Sequence, residues 1–182
     1  MLSAPTGDLI DWIRVKLHEE FIMRDLGELW TFLELQIERN RTDRTLHLSQ
    51  STYIERILAG QGMQGCTPTA TPGDPPVRLQ KSSQDFKATA EQTKKYQMAV
   101  VCLMYAILGS RPDIAYAVSR VSQYSTNLNQ SHWTAVRRIF RHLAGTRCHG
   151  LDYGRYRSGA GFTDADWGTG DDRKSMGVIL LS

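Results

Sequence analysis

The chain has 182 residues with a formal charge of +3, and its 6 Pro and 15 Gly are too few to mark a disordered chain. With 41% hydrophobic and 23% charged residues it has ordinary globular composition, so a buried core is expected. Three widely spaced cysteines, Cys66, Cys102 and Cys148, form no CxxC pair and read as free thiols of a reducing compartment. Cys148-His149 lacks the second ligand pair that a metal site needs. The N-terminus has no basic and apolar leader, and the longest apolar run, Met98 to Leu108, is shorter than the ~20 residues a bilayer requires. A cytoplasmic or nuclear protein without a membrane partner is the expectation.

In chain order, residues 8–22 predict an amphipathic helix from Leu9, Ile13, Leu17 and Phe21, capped by Thr6 or Asp8. Leu29–Ile37 reads as a strand, and Thr45–Ser49 as its partner across the polar turn Asn40–Arg44, together a β-hairpin. Ser51 opens a second helix, Thr52–Ala59, with Tyr53, Ile54 and Ile57 inward; Gly60 and Gly62 end it. Residues 64–95 hold four prolines among Ser, Thr, Gln and Lys and predict a linker or a loose surface crossing. A helix over 96–109 follows, and Arg111-Pro112 starts another with Ile114, Val118, Val121 and Tyr124 on one face. A third, N-capped near Ser131, carries Trp133, Val136, Phe140 and Leu143 and stops at Gly145. Ala160–Asp164 and Met176–Leu181 predict two short strands. A lone ribbon of this kind is marginal, so the chain reads as cut inside an unfinished sheet whose tail is frayed or aggregation-prone.

Three groups of residues carry chemistry. Asp164 and Asp166, at i and i+2 on a strand, share a face and could meet one divalent cation, or form a solvated acidic turn with Asp171 and Asp172. Between Ile114 and Leu151 there is no Asp or Glu, whereas Arg137, Arg138, Arg141 and His142 fall on one face of the 131–144 helix. Such a face tracks a phosphate backbone or is simply solvated; the missing acids favour nucleic acid. Trp30, Phe32 and Tyr53 could stack on bases, although core positions are commoner for such aromatics. No P-loop, GxSxG or HExxH string is present.

Nine strings in order cover nearly the whole chain. They are Phe21-Ile-Met-Arg-Asp-Leu-Gly27, Phe32-Leu-Glu-Leu-Gln-Ile37, Leu48-Ser-Gln-Ser-Thr-Tyr-Ile54, Arg111-Pro-Asp-Ile-Ala-Tyr-Ala-Val118, His132-Trp133, Gly145-Thr146, Gly150-Leu-Asp-Tyr153, Asp164-Ala-Asp-Trp167 and Asp172-Arg-Lys-Ser175. Together they resemble the copia-type long-terminal-repeat retrotransposon Pol polyprotein. The resemblance implies an α+β chain: a reverse-transcriptase palm and thumb remnant over 1–63, a linker over 64–95, a helical connection over 96–157, and an incomplete RNase H-like sheet over 158–182. Residues 8–22 then resemble the palm helix and 29–49 the hairpin that grips a primer end. Asp164 resembles the first RNase H carboxylate, and Mg2+ is the family's cofactor. The implied partners are an RNA–DNA hybrid or DNA and the remaining polyprotein segments.

The departures bear on activity. The family's aromatic-Asp-Asp polymerase string is absent from residues 1–182, and most RNase H carboxylates are too, so no stable Mg2+ site and no independent catalysis are expected. Glu34 stands where the family usually has Gly in the primer-grip strand. A transposon remnant without activity is the third reading, beside the Pol fragment and the nucleic-acid-binding module.

Overall fold

A computed structural model describes residues 6–73, 79–80, 88–154, 161–166 and 176–181, the last two stretches as backbone only. Among these, the chain is mixed helix and sheet, with a four-stranded antiparallel sheet of order β1-β2-β3-β4 and a two-stranded ribbon β5-β6. The α+β class is as expected.

Helix α1 (Gly7–Glu20) forms where predicted but ends two residues early, because Phe21 is already extended at φ −131° and ψ 140°. Thr6 caps it without a side-chain hydrogen bond, and no residue of α1 is buried. Its surface pairs, Arg14–Asp11 at 3.0 Å and Lys16–Glu19 at 2.6 Å, stabilise it only by tenths of a kcal/mol each.

The expected single strand 29–37 is instead two. β1 (Thr31–Phe32) and β2 (Leu35–Asn40) pair with Phe32 opposite Leu35, leaving Leu33 and Glu34 as a two-residue turn. Both have positive φ, 50° and 66°, the conformation that hairpin turns require and that glycine adopts most readily. Glycine would meet that backbone need freely; Glu34 meets it at a cost while pairing with Arg56 at 3.2 Å. The second hairpin is as read from the sequence: β3 (Thr45–Ser49) pairs with β2, with Asn40 opposite Thr45. Its turn is fixed by Asn40 Oδ1, which accepts from the Thr42 and Asp43 amides at 3.0 and 3.1 Å.

β4 (Gly150–Tyr153) is the strand the sequence reading missed. It pairs with β3, placing Leu151 opposite Leu48 and Tyr153 opposite Leu46. A Cβ at Gly150 would lie 2.1 Å from the Leu48 carbonyl oxygen, so only glycine lets the two backbones meet there.

The core lies among α2 (Ser51–Gly60), α3 (Ala90–Gly109), α4 (Ala115–Ser122) and α5 (Gln130–Gly145). Ile54, Tyr96, Leu103, Ile114, Val118, Val136, Phe140 and Leu143 are all but sealed from water. Each such large side chain contributes about 1.5–3 kcal/mol by burial. The predicted stripes hold: Ile114, Val118, Val121 and Tyr124 are buried together, as are Val136, Phe140 and Leu143. Two boundaries move. α3 begins at Ala90, not at 96, under a capping box in which the Thr89 side chain accepts from Gln92 N while Gln92 Oε1 accepts from Thr89 N. α5 is capped by Asn129, not Ser131. Because α2 shares one core with α3–α5, packing does not break at residue 63 or 96.

The crossing after α2 is also more than a linker. Leu79 is buried in the core, and its carbonyl accepts from Tyr124 Oη at 2.7 Å. β5 (Gly161–Asp166) and β6 (Met176–Leu181) pair antiparallel with Asp164 opposite Val178, as the two predicted strands require. The connection between them lies outside the described residues, and the pairing of the two strands leaves the expectation of a frayed tail untested.

Replacing Glu34 by Gly should raise stability by up to about 1 kcal/mol, since the relief of a left-handed non-glycine residue exceeds the worth of an exposed ion pair. Chemical denaturation of the wild type and Glu34→Gly tests this; an unchanged or lower midpoint would argue against a strained turn.

Candidate nucleic-acid interface

The predicted cationic face sits on α5, the same helix that buries Val136 and Phe140. Of its four residues, Arg137 is exposed, Arg138 and Arg141 are half-buried, and His142 is buried. The cause is the strap of residues 67–73, which runs along α5. Thr69 N donates to the Arg141 carbonyl at 3.4 Å, and Thr69 Oγ1 to the Arg138 carbonyl at 3.3 Å. In return Arg141 Nε donates to Thr67 O at 2.6 Å, and Arg138 to Gly73 O and Thr71 Oγ1 at 3.2 and 3.0 Å. Pro68 lies so close to Gly145 that a Cβ there would stand 2.8 Å from it. The open cationic face is therefore narrower than the sequence suggests: Arg138, Arg141 and His142 hold the strap, and Arg137 stays exposed.

His142 belongs to a buried polar network. Its Nε2 lies 3.2 Å from Asp113 Oδ2 and its Nδ1 3.3 Å from the Thr69 carbonyl. Asp113 also takes both ends of the Arg111 fork at 2.9 and 2.7 Å, and Arg111 donates to the carbonyl and hydroxyl of Thr146 at 2.8 and 2.6 Å. Arg111 is 1% exposed. Burial pulls the Asp113 carboxyl upward, but Arg111, and after it His142, outweigh burial and hold it below the ordinary carboxylate range. His132 is a different case. Its Nδ1 accepts from Asn129 N at 2.9 Å, its ring stacks on Tyr124 at 4.1 Å, and burial lowers its pKa against the opposing backbone of Gln80.

The aromatics divide. Tyr53 is core, with its hydroxyl donating to Cys102 O at 2.9 Å. Trp30 and Phe32 are not: they are 66% and 45% exposed at the edge of the sheet, against the core reading. Trp30 borders an open cleft of about 290 Å³ shared with Arg39, His47 and Asp152. His47 Nδ1 lies 2.7 Å from Asp152 Oδ1.

The side chains of Asp164 and Asp166 lie outside the described residues. Among the described residues no group of three or more His, Cys, Asp or Glu could hold a metal ion, Cys148-His149 included. The three cysteines are free, and no described helix is long and apolar enough to cross a membrane.

Three relatives place the chain. It is 40% identical over 181 residues, 96% of its length, to the retrovirus-related Pol polyprotein from transposon TNT 1-94 of Nicotiana tabacum. It is 40% identical over 91% of its length to that from transposon RE1 of Arabidopsis thaliana. It is 32% identical to the uncharacterized mitochondrial protein AtMg00810 of Arabidopsis thaliana, over 92% of the chain and 68% of that protein. No family model matches the chain, and no solved structure matches it. The class these relatives define is the retrovirus-related Pol polyprotein of transposons. Within it, the chain belongs to the copia-type retrotransposon family. It spans 14% of the TNT 1-94 polyprotein and 11% of that from RE1.

Two expectations follow from the buried groups. Asp113→Ala leaves Arg111 buried without its carboxylate and should cost about 3 kcal/mol, the low end for a broken buried pair because Asp113 keeps 42% exposure. Denaturant titration reads this directly, and a loss below 1 kcal/mol would mean that Thr146 alone satisfies Arg111. For His132 the folded pKa is depressed, so its contribution is complete above the ordinary histidine range and is lost as pH falls through and below it. The thermal midpoint should drop between pH 7.5 and 5.5, and drop less in His132→Gln, which can keep the capping box. Equal drops in the two proteins would clear His132 of that role.

Proposed function

We propose that this chain is the stretch of a copia-type Pol polyprotein that runs from the primer-contacting end of the reverse transcriptase, through its connection region, into the first RNase H strands. Its role is to hold nucleic acid for active sites whose carboxylates are supplied elsewhere in the polyprotein. The observation that carries this reading is the exposure of Trp30 and Phe32 at the edge of the sheet, within the segment that resembles the primer grip. Aromatic rings left in water on an edge hairpin offer stacking platforms to unpaired or terminal bases. Arg137, exposed on α5, supplies attraction to phosphate, and Arg138, Arg141 and His142 act mainly by fixing the strap. Asp164 and Asp166 are the RNase H-like carboxylates of this reading, and a Mg2+ ion would need further acids to complete its site. The protein works in the cytoplasm or nucleus, where reverse transcription has its templates.

A second reading, a remnant that no longer binds, is favoured by one observation. Glu34 occupies a left-handed turn position where the family usually has Gly, beside the aromatic pair.

Titrating residues 1–182 with a labelled RNA–DNA hybrid across salt separates the two. On the first reading, replacing Trp30 and Phe32 together by Ala weakens binding about ten-fold or more. Arg137→Glu flattens the salt dependence by about one phosphate contact, whereas Arg141→Glu lowers the thermal midpoint more than the affinity. Folded protein that binds no hybrid at low salt would leave the remnant. Robust magnesium-dependent polymerase or nuclease activity from these residues would overturn the assignment of catalysis to the rest of the polyprotein.

A further inference from the structure

The strap that lies along α5, residues 67–73, reads Thr-Pro-Thr-Ala-Thr-Pro-Gly. Pro68 and Pro72 are the only prolines of the chain that follow a Ser or Thr. Proline lacks an amide hydrogen and holds the residue before it extended, so a Thr-Pro step presents its hydroxyl on an open backbone. The three threonines are not equivalent. Thr69 is half-buried and followed by Ala70, and its Oγ1 donates to the carbonyls of Arg138 and Thr71 at 3.3 and 3.4 Å. Thr71 is exposed, but its hydroxyl donates to Gly73 O at 2.9 Å and accepts from Arg138 at 3.0 Å. Thr67 is exposed too, and among the described residues its hydroxyl has no hydrogen-bond partner. Beside it stands a guanidinium with donors to spare. Arg141 Nε donates to Thr67 O at 2.6 Å, and its two terminal nitrogens have no acceptor among the described residues. Cys66 and Pro68, on either side of Thr67, line an open cleft with Glu55 and Arg147, which pair at 3.8 Å and so add no net charge.

We propose that Thr67 is the phosphoacceptor of a protein kinase that takes Thr before Pro, and that Arg141 holds the phosphate once it is added. Lifting the strap for the transfer breaks few contacts. Chief among them are the hydrogen bonds of Thr69 to the Arg138 and Arg141 carbonyls and that of Arg141 to Thr67, and segments so lightly held open at small cost. In the transfer Thr67 Oγ1 attacks the γ-phosphorus of MgATP. The Oγ1–P bond forms as the bond to the β–γ bridging oxygen breaks, ADP leaves, and the hydroxyl proton passes to the kinase's own base. The product carries about −1.5 to −2 charge and three strong acceptor oxygens beside Arg141, which a planar fork of unused donors suits. That charge also falls on the helix face given above to nucleic acid, and so opposes binding there. This consequence rests on the Pol reading; the modification itself goes beyond it.

The test treats residues 1–182 with MgATP and a proline-directed kinase that phosphorylates the free peptide of residues 63–71. Mass spectrometry should place phosphate on Thr67, with Thr71 modified less and Thr69 not at all. A phosphorus NMR titration then reads the pairing, with the Thr67 resonance assigned by its loss in Thr67→Ala. That phosphate should take its last proton roughly 0.5 below the ordinary value of about 6. In Arg141→Gln it should return to about 6, and in Arg141→Lys, a point charge without the fork, it should lie between. Because Arg141→Lys keeps the charge, it separates lost pairing from a strap that has merely loosened. Protein left unmodified at Thr67, or modified equally at Thr69, would overturn the acceptor assignment. A Thr67 phosphate whose ionisation ignores both Arg141 variants would overturn the pairing. The experiment reads phosphate, not nucleic acid, so its failure leaves the functional reading standing.

Discussion

A single guanidinium organises this chain. Arg111 is removed from water almost completely, and four hydrogen bonds to Asp113 and Thr146 make that burial tolerable. A buried charge with a missing partner is far more costly than one with all its partners, so the segments that supply them must arrive together. Asp113 sits in the 3₁₀ turn Pro112–Ile114 between α3 and α4, and Thr146 at the end of α5. The pair therefore fixes where α5 stops, and with it the point from which the chain turns toward β4. Through His142 the network reaches the strap as well. The strings Arg111-Pro-Asp and Gly145-Thr146 are explained by this architecture without any catalytic role.

The same helix shows why charge patterning is an incomplete guide to surfaces. Arg138, Arg141 and His142 satisfy the helical rule for a common face, yet their partners are backbone carbonyls of Thr67, Thr69 and Gly73. Carbonyl oxygens belong to every residue and leave no trace in a sequence. A proline- and threonine-rich stretch that reads as a spacer can thus lie down on a helix and occupy its cations.

Much of the helical architecture was legible, because a 3.6-residue repeat shows itself within a dozen positions. Ile114, Val118, Val121 and Tyr124 all went inside, as their spacing demands. The β elements were legible only where the turn was. Asn40 announces its hairpin through a side chain that caps its own turn, whereas Leu33-Glu34 contains neither glycine nor asparagine and gave no warning. β4 was missed for a different reason: four residues are too few to display a period, and its partner is distant. α1 and Trp30 depart from expectation in the same direction: an amphipathic helix and an aromatic for which a core position is the commoner one both stand in water. Amphipathicity reports that a face needs a partner, not where that partner is.

The distance between β3 and β4 has a temporal meaning. His47 and Asp152 face each other across 105 residues, so the last strand of the main sheet exists in the chain only after all five helices have been made. Closing so long a loop costs little more at equilibrium than closing one half its length, about 0.6 kcal/mol, but it delays the event. During synthesis β3 stands as an open edge while α2 to α5 assemble around Arg111. Completion of α5 delivers Gly150 to that edge, and the helical unit acts as a timer for the sheet. A ribosome that stalls before residue 150 would leave an edge strand unpaired, and in a polyprotein such an edge has neighbouring strands with which to pair wrongly.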